Sequence, residues 1–222
     1  MSLLKVNDLK CSYLTDTNTV KAVDGISFEI GEGEILGIVG ESGSGKTTVA
    51  LGIMGLLPEN TAISGEIFYR DDVISSLPES EMDRLRWKDI AIVFQNSLEV
   101  LNPVMKVGFQ VIEPMTKHLG ISPEKARIKC ADLFQTVGLD PKWMDLYPHQ
   151  LSGGMRQRVL LVMALSCDPK VLILDEVTSA LDAFTRKDIR DLLLDLQKQN
   201  GYTMLIISHD ITVVSSLASR IV

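Results

Sequence analysis

The stretch Gly40–Thr48, GESGSGKTT, constrains the fold of this chain more than any other. It follows the apolar run ILGIVG and precedes a segment with helical spacing, so its glycines lie between a predicted strand and a predicted helix. Gly40, Gly45, Lys46 and Thr47 satisfy the pattern G-x-x-x-x-G-K-[ST] of phosphate-binding loops. Glycine lets successive main-chain N–H groups turn toward an anion, and the helix N-terminus adds partial positive charge. The stretch therefore predicts a nucleoside triphosphate site.

We expect the whole loop to contact phosphates. Lys46 is predicted to reach the β- and γ-phosphates, and Thr47 to offer its hydroxyl to Mg²⁺. The alternative is a flexible turn that matches the pattern by chance, which the flanking strand and helix disfavour. The candidate nucleotide-binding residues of the loop are Gly40, Glu41, Ser42, Gly43, Ser44, Gly45, Lys46, Thr47 and Thr48.

A second buried strand, VLILDE, ends in two acidic residues. Open α/β sheets bind their ligands at the carboxyl ends of the strands. Asp175 is therefore a candidate partner of Mg²⁺ through water, and Glu176 a candidate general base for the attacking water. A solvated acidic pair that merely ends a strand is an equal alternative when these two residues are considered alone.

Strand and helix patterns alternate along most of the chain, and the apolar runs of the strands are continuous. This arrangement is typical of a parallel sheet that is covered on both faces. The first 35 residues have an extended pattern, whereas prolines at 103, 114, 123, 141 and 148 punctuate short helical segments between 98 and 150. We interpret this proline-rich part as a helical subdomain inserted into an α/β core.

Composition excludes several other classes of protein. The net charge is −7, and no basic cluster exceeds RLRWK at Arg84–Lys88, which disfavours nucleic-acid binding. No apolar run approaches the roughly 20 residues of a membrane span. The N-terminal residues lack the pattern of a secretory signal. Three cysteines without pair spacing indicate a reducing compartment and give no metal template.

The order of the remaining motifs resembles that of ABC-transporter nucleotide-binding domains. LSGGM at Leu151–Met155, about twenty residues before VLILDE, is similar to the signature motif of that family. The phosphate loop, Gln95 in VFQNS, the signature, the acidic pair, SALD at 179–182 and His209 in IISHD follow in the family's order. A small-molecule kinase with a phosphate loop, which is an alternative, has no need of LSGG.

The resemblance implies a composite nucleotide site. Tyr13 resembles the aromatic residue that stacks on adenine, and Val20 its apolar companion. Ser152, Gly153 and Gly154 begin a helix and form a second anion site, which in this family serves the γ-phosphate of the opposite subunit. We therefore expect ATP to join two chains head to tail around a two-fold axis.

The resemblance also assigns the catalytic groups. Glu176 corresponds to the catalytic base, Gln95 to the residue that touches Mg²⁺ and the attacking water, and His209 to the switch residue on the γ-phosphate. The cofactors are ATP and Mg²⁺, and the metal contacts come from Thr47, Gln95 and Asp175. The implied fold is α/β: an ABC ATPase core with a mainly parallel sheet flanked by helices, an N-terminal antiparallel β subdomain and an inserted α-helical subdomain. We expect 1–97 and 151–222 to form the core and 98–150 the insert.

Longer segments resemble the ATPase subunits of oligopeptide, dipeptide and nickel importers. They are MGLLP, FQNSLEVLNPVMKVGFQVIEP and LYPHQLSGGMRQRV. The implied function is ATP hydrolysis at the cytoplasmic face of the membrane, which powers import through a separate permease. The expected partners are the permease, docked near Leu101–Val107, and a second ATPase chain, either a sister chain or a copy of this one. A soluble ABC ATPase that acts on ribosomes or DNA is the alternative.

The sequence departs from the family pattern in three places. Val177 stands where most relatives have proline, so the backbone of Glu176 is less restricted and we expect a slightly looser base. FQNS replaces the commoner FQDP. ASRIV at the end predicts a strand that stops at residue 222, and we expect a truncated chain.

Overall fold

The computed structural model describes residues 2–94, 100–179 and 181–222. Its strands are β1 (Ser2–Leu14), β2 (Thr19–Gly31), β3 (Ile35–Val39), β4 (Thr61–Tyr69), β5 (Asp72–Val73), β6 (Ile90–Val93), β7 (Val171–Asp175), β8 (Thr203–Ser208) and β9 (Arg220–Ile221). Its helices are α1 (Lys46–Met54), α2 (Glu79–Leu85), α3 (Val107–Leu119), α4 (Pro123–Thr136), α5 (Gly153–Leu165), α6 (Ala183–Asn200) and α7 (Ile211–Ser215), with 3₁₀ turns at Pro141–Asp145 and Pro148–Gln150.

The strands form two sheets. The antiparallel sheet has the order β2-β1-β4-β5, and the second sheet has the order β6-β7-β8-β3-β9 with every pair parallel. The carboxyl ends of β3, β7 and β8 therefore meet at one edge, where the phosphate loop, the acidic pair and His209 follow them. The two sheets and the helices confirm the predicted fold class.

The central strand β7 shows why the apolar runs are continuous. All five of its residues are buried, and they alternate between two hydrophobic cores. Val171 and Ile173 pack with the antiparallel sheet and α1, whereas Leu172 and Leu174 pack with the helices of the other face. Because both faces of the strand are covered, its first four residues are all apolar, and the one polar residue, Asp175, stands at its carboxyl end.

Helix α1 is shorter than its sequence pattern predicts. The apolar spacing extends to Leu57 before Pro58, but the helix ends at Met54. Gly55 adopts a left-handed conformation with φ 62°, and its N–H donates back to the carbonyl groups of Leu51 and Gly52. A left-handed glycine is the commonest helix terminator, so Gly55 ends the helix before the proline is reached.

The proline-punctuated part of the chain contains α3, α4 and the two 3₁₀ turns. Ser122 caps α4 by accepting a hydrogen bond from the N–H of Lys125 (3.4 Å), and Pro123 occupies the first turn as predicted. A Cβ on Gly108 in α3 would lie 2.7 Å from that of Met144, so this helix packs closely on the first 3₁₀ turn. The apolar residues of these helices belong to the same core as α5. The division of the chain at 98 and 150 remains a prediction.

The described residues carry no disulfide, since Cys11, Cys130 and Cys167 are buried free thiols. Burial raises the pKa of the Cys130 thiol to about 12, so this residue behaves as an apolar core group.

Among the described residues, no helix has the length and hydropathy that crossing a bilayer requires.

Candidate nucleotide-binding site

The phosphate loop connects β3 to α1 and depends on glycine at its last position. Gly45 has φ 89°, and a Cβ there would lie 2.0 Å from the carbonyl oxygen of Ala22. Gly43 also has a positive φ, of 82°. A Cβ on Gly40 would lie 2.7 Å from the hydroxyl of Ser44. The loop therefore fits against the β1–β2 hairpin only because Gly45 lacks a side chain, whereas Gly43 supplies a left-handed backbone within the loop.

Lys46 lies across its own loop. Its Nζ donates to the carbonyl oxygens of Gly40 and Glu41, at 2.7 Å each, and lies 3.4 Å from the hydroxyl of Ser44. The residue is only 8% exposed. Its charge is thus held at the base of the loop, beside the N-terminus of α1, where an anion is favoured.

A cavity of about 690 Å³ adjoins the loop and brings residues from four parts of the chain together. Most of the predicted nucleotide residues line it, whereas Gly40 and Ser44 face a neighbouring cavity of about 440 Å³ behind the loop. Lys21 and Ala22 were missed by the sequence analysis, although they directly follow Val20. The lining residues are Tyr13, Val20, Lys21, Ala22, Glu41, Ser42, Gly43, Gly45, Lys46, Thr47, Thr48, Glu176 and His209.

Tyr13 is connected to the first helix by a side-chain hydrogen bond. Its hydroxyl lies 3.1 Å from the hydroxyl of Thr48. The two residues are 35 positions apart in the sequence, so the bond links β1 to the phosphate loop. It fixes the aromatic ring at the rim of the cavity, near Val20, which is 53% exposed.

Asp175 ends β7 beneath the cavity and is only 2% exposed. Burial raises the pKa of its carboxyl, and the charge of Glu176 raises it further, whereas the Thr47 hydroxyl and the Lys46 charge act in the opposite direction. Its Oδ1 atom has no hydrogen-bond partner among the described residues. An orphaned buried carboxylate oxygen beside a threonine hydroxyl fits a hard cation such as Mg²⁺.

Glu176 follows Asp175 and adopts a left-handed conformation, with φ 53°. The sequence allows an extended backbone at Glu176, but the observed conformation is left-handed. The carboxylate is held by His209, whose main-chain N–H donates to Oε1 (2.9 Å) and whose Nδ1 lies 2.8 Å from the same oxygen. The Ser208 hydroxyl donates to Oε2 (3.4 Å). With Val177 beside it, the glutamate makes three contacts with residues 208 and 209, and the slightly looser base expected from the missing proline stays a prediction.

The signature residues lie apart from the cavity. Ser152 caps α5 by accepting a hydrogen bond from the N–H of Met155 (3.3 Å), and Gly153 begins the helix. A Cβ on Gly154 would lie 2.6 Å from the Cγ2 of Thr185, so the tip of α5 packs against the first turn of α6. None of the three predicted residues is among the described residues that line the cavity. Gln95, the remaining site prediction, lies outside the described residues.

Comparison with known proteins identifies the family. Residues 23–179 match the family model described as ABC transporter, and residues 144–215 also match a model described as AAA domain, putative AbiEii toxin. The chain is 41% identical, over its full length, to the dipeptide transport ATP-binding protein DppD of Haemophilus influenzae, of which it covers 68%. It is 42% identical, over 99% of its length, to the oligopeptide transport ATP-binding protein OppD of Bacillus subtilis, of which it covers 62%.

Solved structures agree with the sequence comparisons. The dimeric structure of MJ0796, a bacterial ABC transporter cassette, matches with a TM-score of 0.88 and 29% identity, over 99% of this chain and 93% of the other. The cbiO1 protein of Clostridium perfringens, part of the ABC transporter complex cbiONQ, matches with a TM-score of 0.83 and 29% identity, over 99% of this chain and 83% of the other. The family model matches most of this chain, and the relatives match it over its whole length. The chain therefore belongs to the ABC transporter family, among its ATPase cassettes.

Proposed function

We propose that this chain binds and hydrolyses ATP to power peptide uptake through a separate membrane permease. The observation that carries the proposal is the match, over the whole chain, to ATP-binding proteins named for dipeptide and oligopeptide transport. The chain spans only 62 to 68% of the length of the two relatives described above. The names of these relatives favour peptides over nickel, and transport over a role on ribosomes or DNA.

The cavity beside the phosphate loop is the ATP site in this proposal. Tyr13 and Val20 contact the base, and the loop N–H groups and Lys46 bind the phosphates. The Thr47 hydroxyl and, through water, Asp175 hold Mg²⁺, as does Gln95 by family resemblance. The bound Mg²⁺ supplies positive charge that offsets the negative charge of the phosphates.

Hydrolysis requires a water molecule to attack the γ-phosphorus while the bond to the bridging β–γ oxygen breaks. The water loses a proton as its new P–O bond forms, and ADP leaves with the electron pair of the broken bond. We assign the proton to the Glu176 carboxylate, because this group lines the cavity and is oriented by contacts with His209. His209 itself is assigned to the γ-phosphate.

The site of one chain is incomplete, because Ser152, Gly153 and Gly154 lie outside its cavity. We assign these residues to the γ-phosphate of a second chain, so two nucleotides are enclosed between two chains. The dimeric relative MJ0796 supports this arrangement. The second chain is either a homologous sister subunit or a copy of this one.

Two exposed apolar residues are the best candidates for permease docking. Both ends of the segment 101–107, near which the permease is expected, are unsuitable for docking, because Leu101 and Val107 are buried in the core. Between and just beyond them, Val104 is 79% exposed and Phe109 is 60% exposed. We propose that this pair contacts the permease and thereby holds the chain at the cytoplasmic face of the membrane.

Replacement of the proposed base tests the enzymatic part. Glu176→Gln should leave ATP binding intact, lower hydrolysis by about two to four powers of ten, and let an ATP-bound dimer accumulate in gel filtration. Glu66→Gln, an exposed position on β4, is the matched control. Unchanged turnover in the Glu176 variant would remove this residue from its role.

Docking is tested by co-purification from membranes. Val104→Asp and Phe109→Asp should each abolish recovery of the permease while the ATPase activity of the isolated chain persists. Ile128→Asp, at a residue of α4 that is 66% exposed, is the control that should retain the permease. Recovery of ribosomes instead of a permease with the unmodified chain would favour the alternative function.

A further inference from the structure

Arg186 bridges the two loops that surround the proposed catalytic pair. It lies in the first turns of α6, one loop beyond Glu176. Its guanidinium contacts the Asp210 carboxylate (Nη1 to Oδ2, 3.3 Å) and donates from Nη2 to the carbonyl oxygen of Leu181 (3.3 Å). The first contact reaches the residue after His209, and the second reaches the loop after Glu176.

Asp210 is fixed on every side that the structure describes. Its main-chain N–H donates to the Ser208 hydroxyl (3.1 Å), which in turn donates to the Glu176 carboxylate. Its Oδ1 caps α7 by accepting from the N–H groups of Thr212 (2.9 Å) and Val213 (3.4 Å). Only Oδ2 is left for Arg186. A displacement of Asp210 would therefore move the His209 main chain, whose N–H holds Glu176.

Stability alone does not explain this contact. The side chains of Arg186 and Asp210 are 38% and 31% exposed, and ion pairs at such positions contribute about 0–1 kcal/mol. In addition, the Nε atom of Arg186 is buried without a hydrogen-bond partner among the described residues. A buried donor without a partner lowers stability. The geometry is better explained by orientation of the loops.

We infer that Arg186 is a positioning residue for ATP hydrolysis, which holds the 208–210 loop so that His209 and Glu176 keep their mutual orientation. The inference rests on the proposed roles of these two residues. Arg186 contacts neither of them directly and does not line the cavity. It acts through Asp210 at one end and through the Leu181 carbonyl at the other.

Steady-state kinetics test the inference with a matched control one turn along the same helix. Arg190 also pairs with an acidic residue, Asp191 (2.6 Å), and its side chain is 35% exposed. Arg186→Gln should lower kcat about tenfold with KM for ATP unchanged, because misplaced catalytic groups slow the chemical step. Asp210→Asn, which keeps the helix cap, should match it. Arg190→Gln should stay within about twofold of the unmodified chain.

A double-mutant cycle separates positioning from general damage. In a His209→Ala background, Arg186→Gln should cause a smaller loss than in the unmodified chain, because the imidazole contact is already absent and only the main-chain N–H still orients Glu176. Arg186→Lys should restore part of kcat. An additive loss in the His209→Ala background, or equal effects of the Arg186 and Arg190 changes, would overturn the inference.

A spectroscopic measurement needs no turnover and keeps this inference separate from the proposed function. In nucleotide-free protein labelled with ¹⁵N-histidine, the Nδ1 resonance of His209 is assigned with His209→Gln. It should shift in Arg186→Gln and Asp210→Asn but not in Arg190→Gln. An unmoved resonance contradicts positioning by Arg186. Failure of Glu176→Gln to slow hydrolysis, by contrast, removes Glu176 from its proposed role and leaves the predicted shift of the His209 resonance unaffected.

Discussion

Asp175 carries a buried charge that the surrounding residues compensate only in part. Burial raises the pKa of its carboxyl in the folded chain, so the folded state binds this proton more tightly than the unfolded state does. Stability is therefore lost as the pH rises from the unfolded pKa of about 3.9 through the folded pKa. Above the folded pKa the full penalty remains.

Asp175→Asn should remove this penalty. In the absence of nucleotide and Mg²⁺ at neutral pH, we expect the melting temperature to rise, because the amide carries no charge that burial would penalise. The gain should shrink as the pH falls through the folded pKa toward the unfolded one, and vanish well below the unfolded pKa of about 3.9, where both states are protonated. Calorimetry at several pH values measures it, and an equal shift at every pH would contradict the electrostatic cause.

The sequence predicts the chemistry of the site better than its local geometry. The glycine pattern and the acidic pair identify most of the cavity, because each motif needs particular residue types at fixed spacing. The left-handed backbone of Glu176 was not predicted, since much of what holds it comes from distant residues of β8 and the 208–210 loop, in addition to the N–H and hydroxyl of Ser179. Arg186 was missed because its carboxylate partner, Asp210, lies 24 residues away along the chain, and no sequence pattern pairs the two.

Among the secondary-structure elements, the N-termini of helices are where much of the proposed phosphate binding takes place. Two helices, α4 and α5, begin with a serine that caps the N-terminus, at Ser122 and Ser152. Both caps accept a hydrogen bond from the N–H three residues on. Loss of such a cap costs about 1 kcal/mol of stability. The two positions thus differ in proposed role but have the same local structure.

This similarity provides a controlled test of the signature tip. Ser152→Ala and Ser122→Ala should lower the melting temperature by similar amounts, about 2–4 °C each. Only Ser152→Ala should also lower ATPase activity, by about tenfold or more, because its helix tip is proposed to stabilise phosphate charge. Equal activity of the two variants would argue against the assigned anion site.

The sequence patterns predicted helices and strands correctly where the local spacing of apolar residues matched their burial in the structure. The capped start of α4 and the buried strand β7 are as predicted. The end of α1 was not, because apolar spacing continues past Gly55 and only its left-handed conformation ends the helix. Helix ends depend on single residues, whereas helix positions depend on many, so the former are harder to predict.

For the whole molecule, the separation of the signature from the cavity supports the proposed second chain. Phe184, in the first turn of α6, is 85% exposed. The next residue, Thr185, packs against the signature tip at Gly154, so the exposed ring lies beside that tip. If the tip faces the nucleotide of a second chain, then the ring of Phe184 is buried when the two chains meet.

The dissociation constant of the dimer tests whether the ring of Phe184 is buried between the two chains. In the Glu176→Gln background with ATP, Phe184→Asp should raise the dimer dissociation constant about 30-fold, which corresponds to about 2 kcal/mol for an apolar side chain that is no longer buried. Ile128→Asp removes an exposed apolar residue from α4, away from the signature, and should leave the dimer unchanged. Analytical ultracentrifugation distinguishes the two. Equal weakening by both substitutions would indicate a different dimer surface, because the proposed head-to-tail arrangement buries the faces that carry the signature and the cavity.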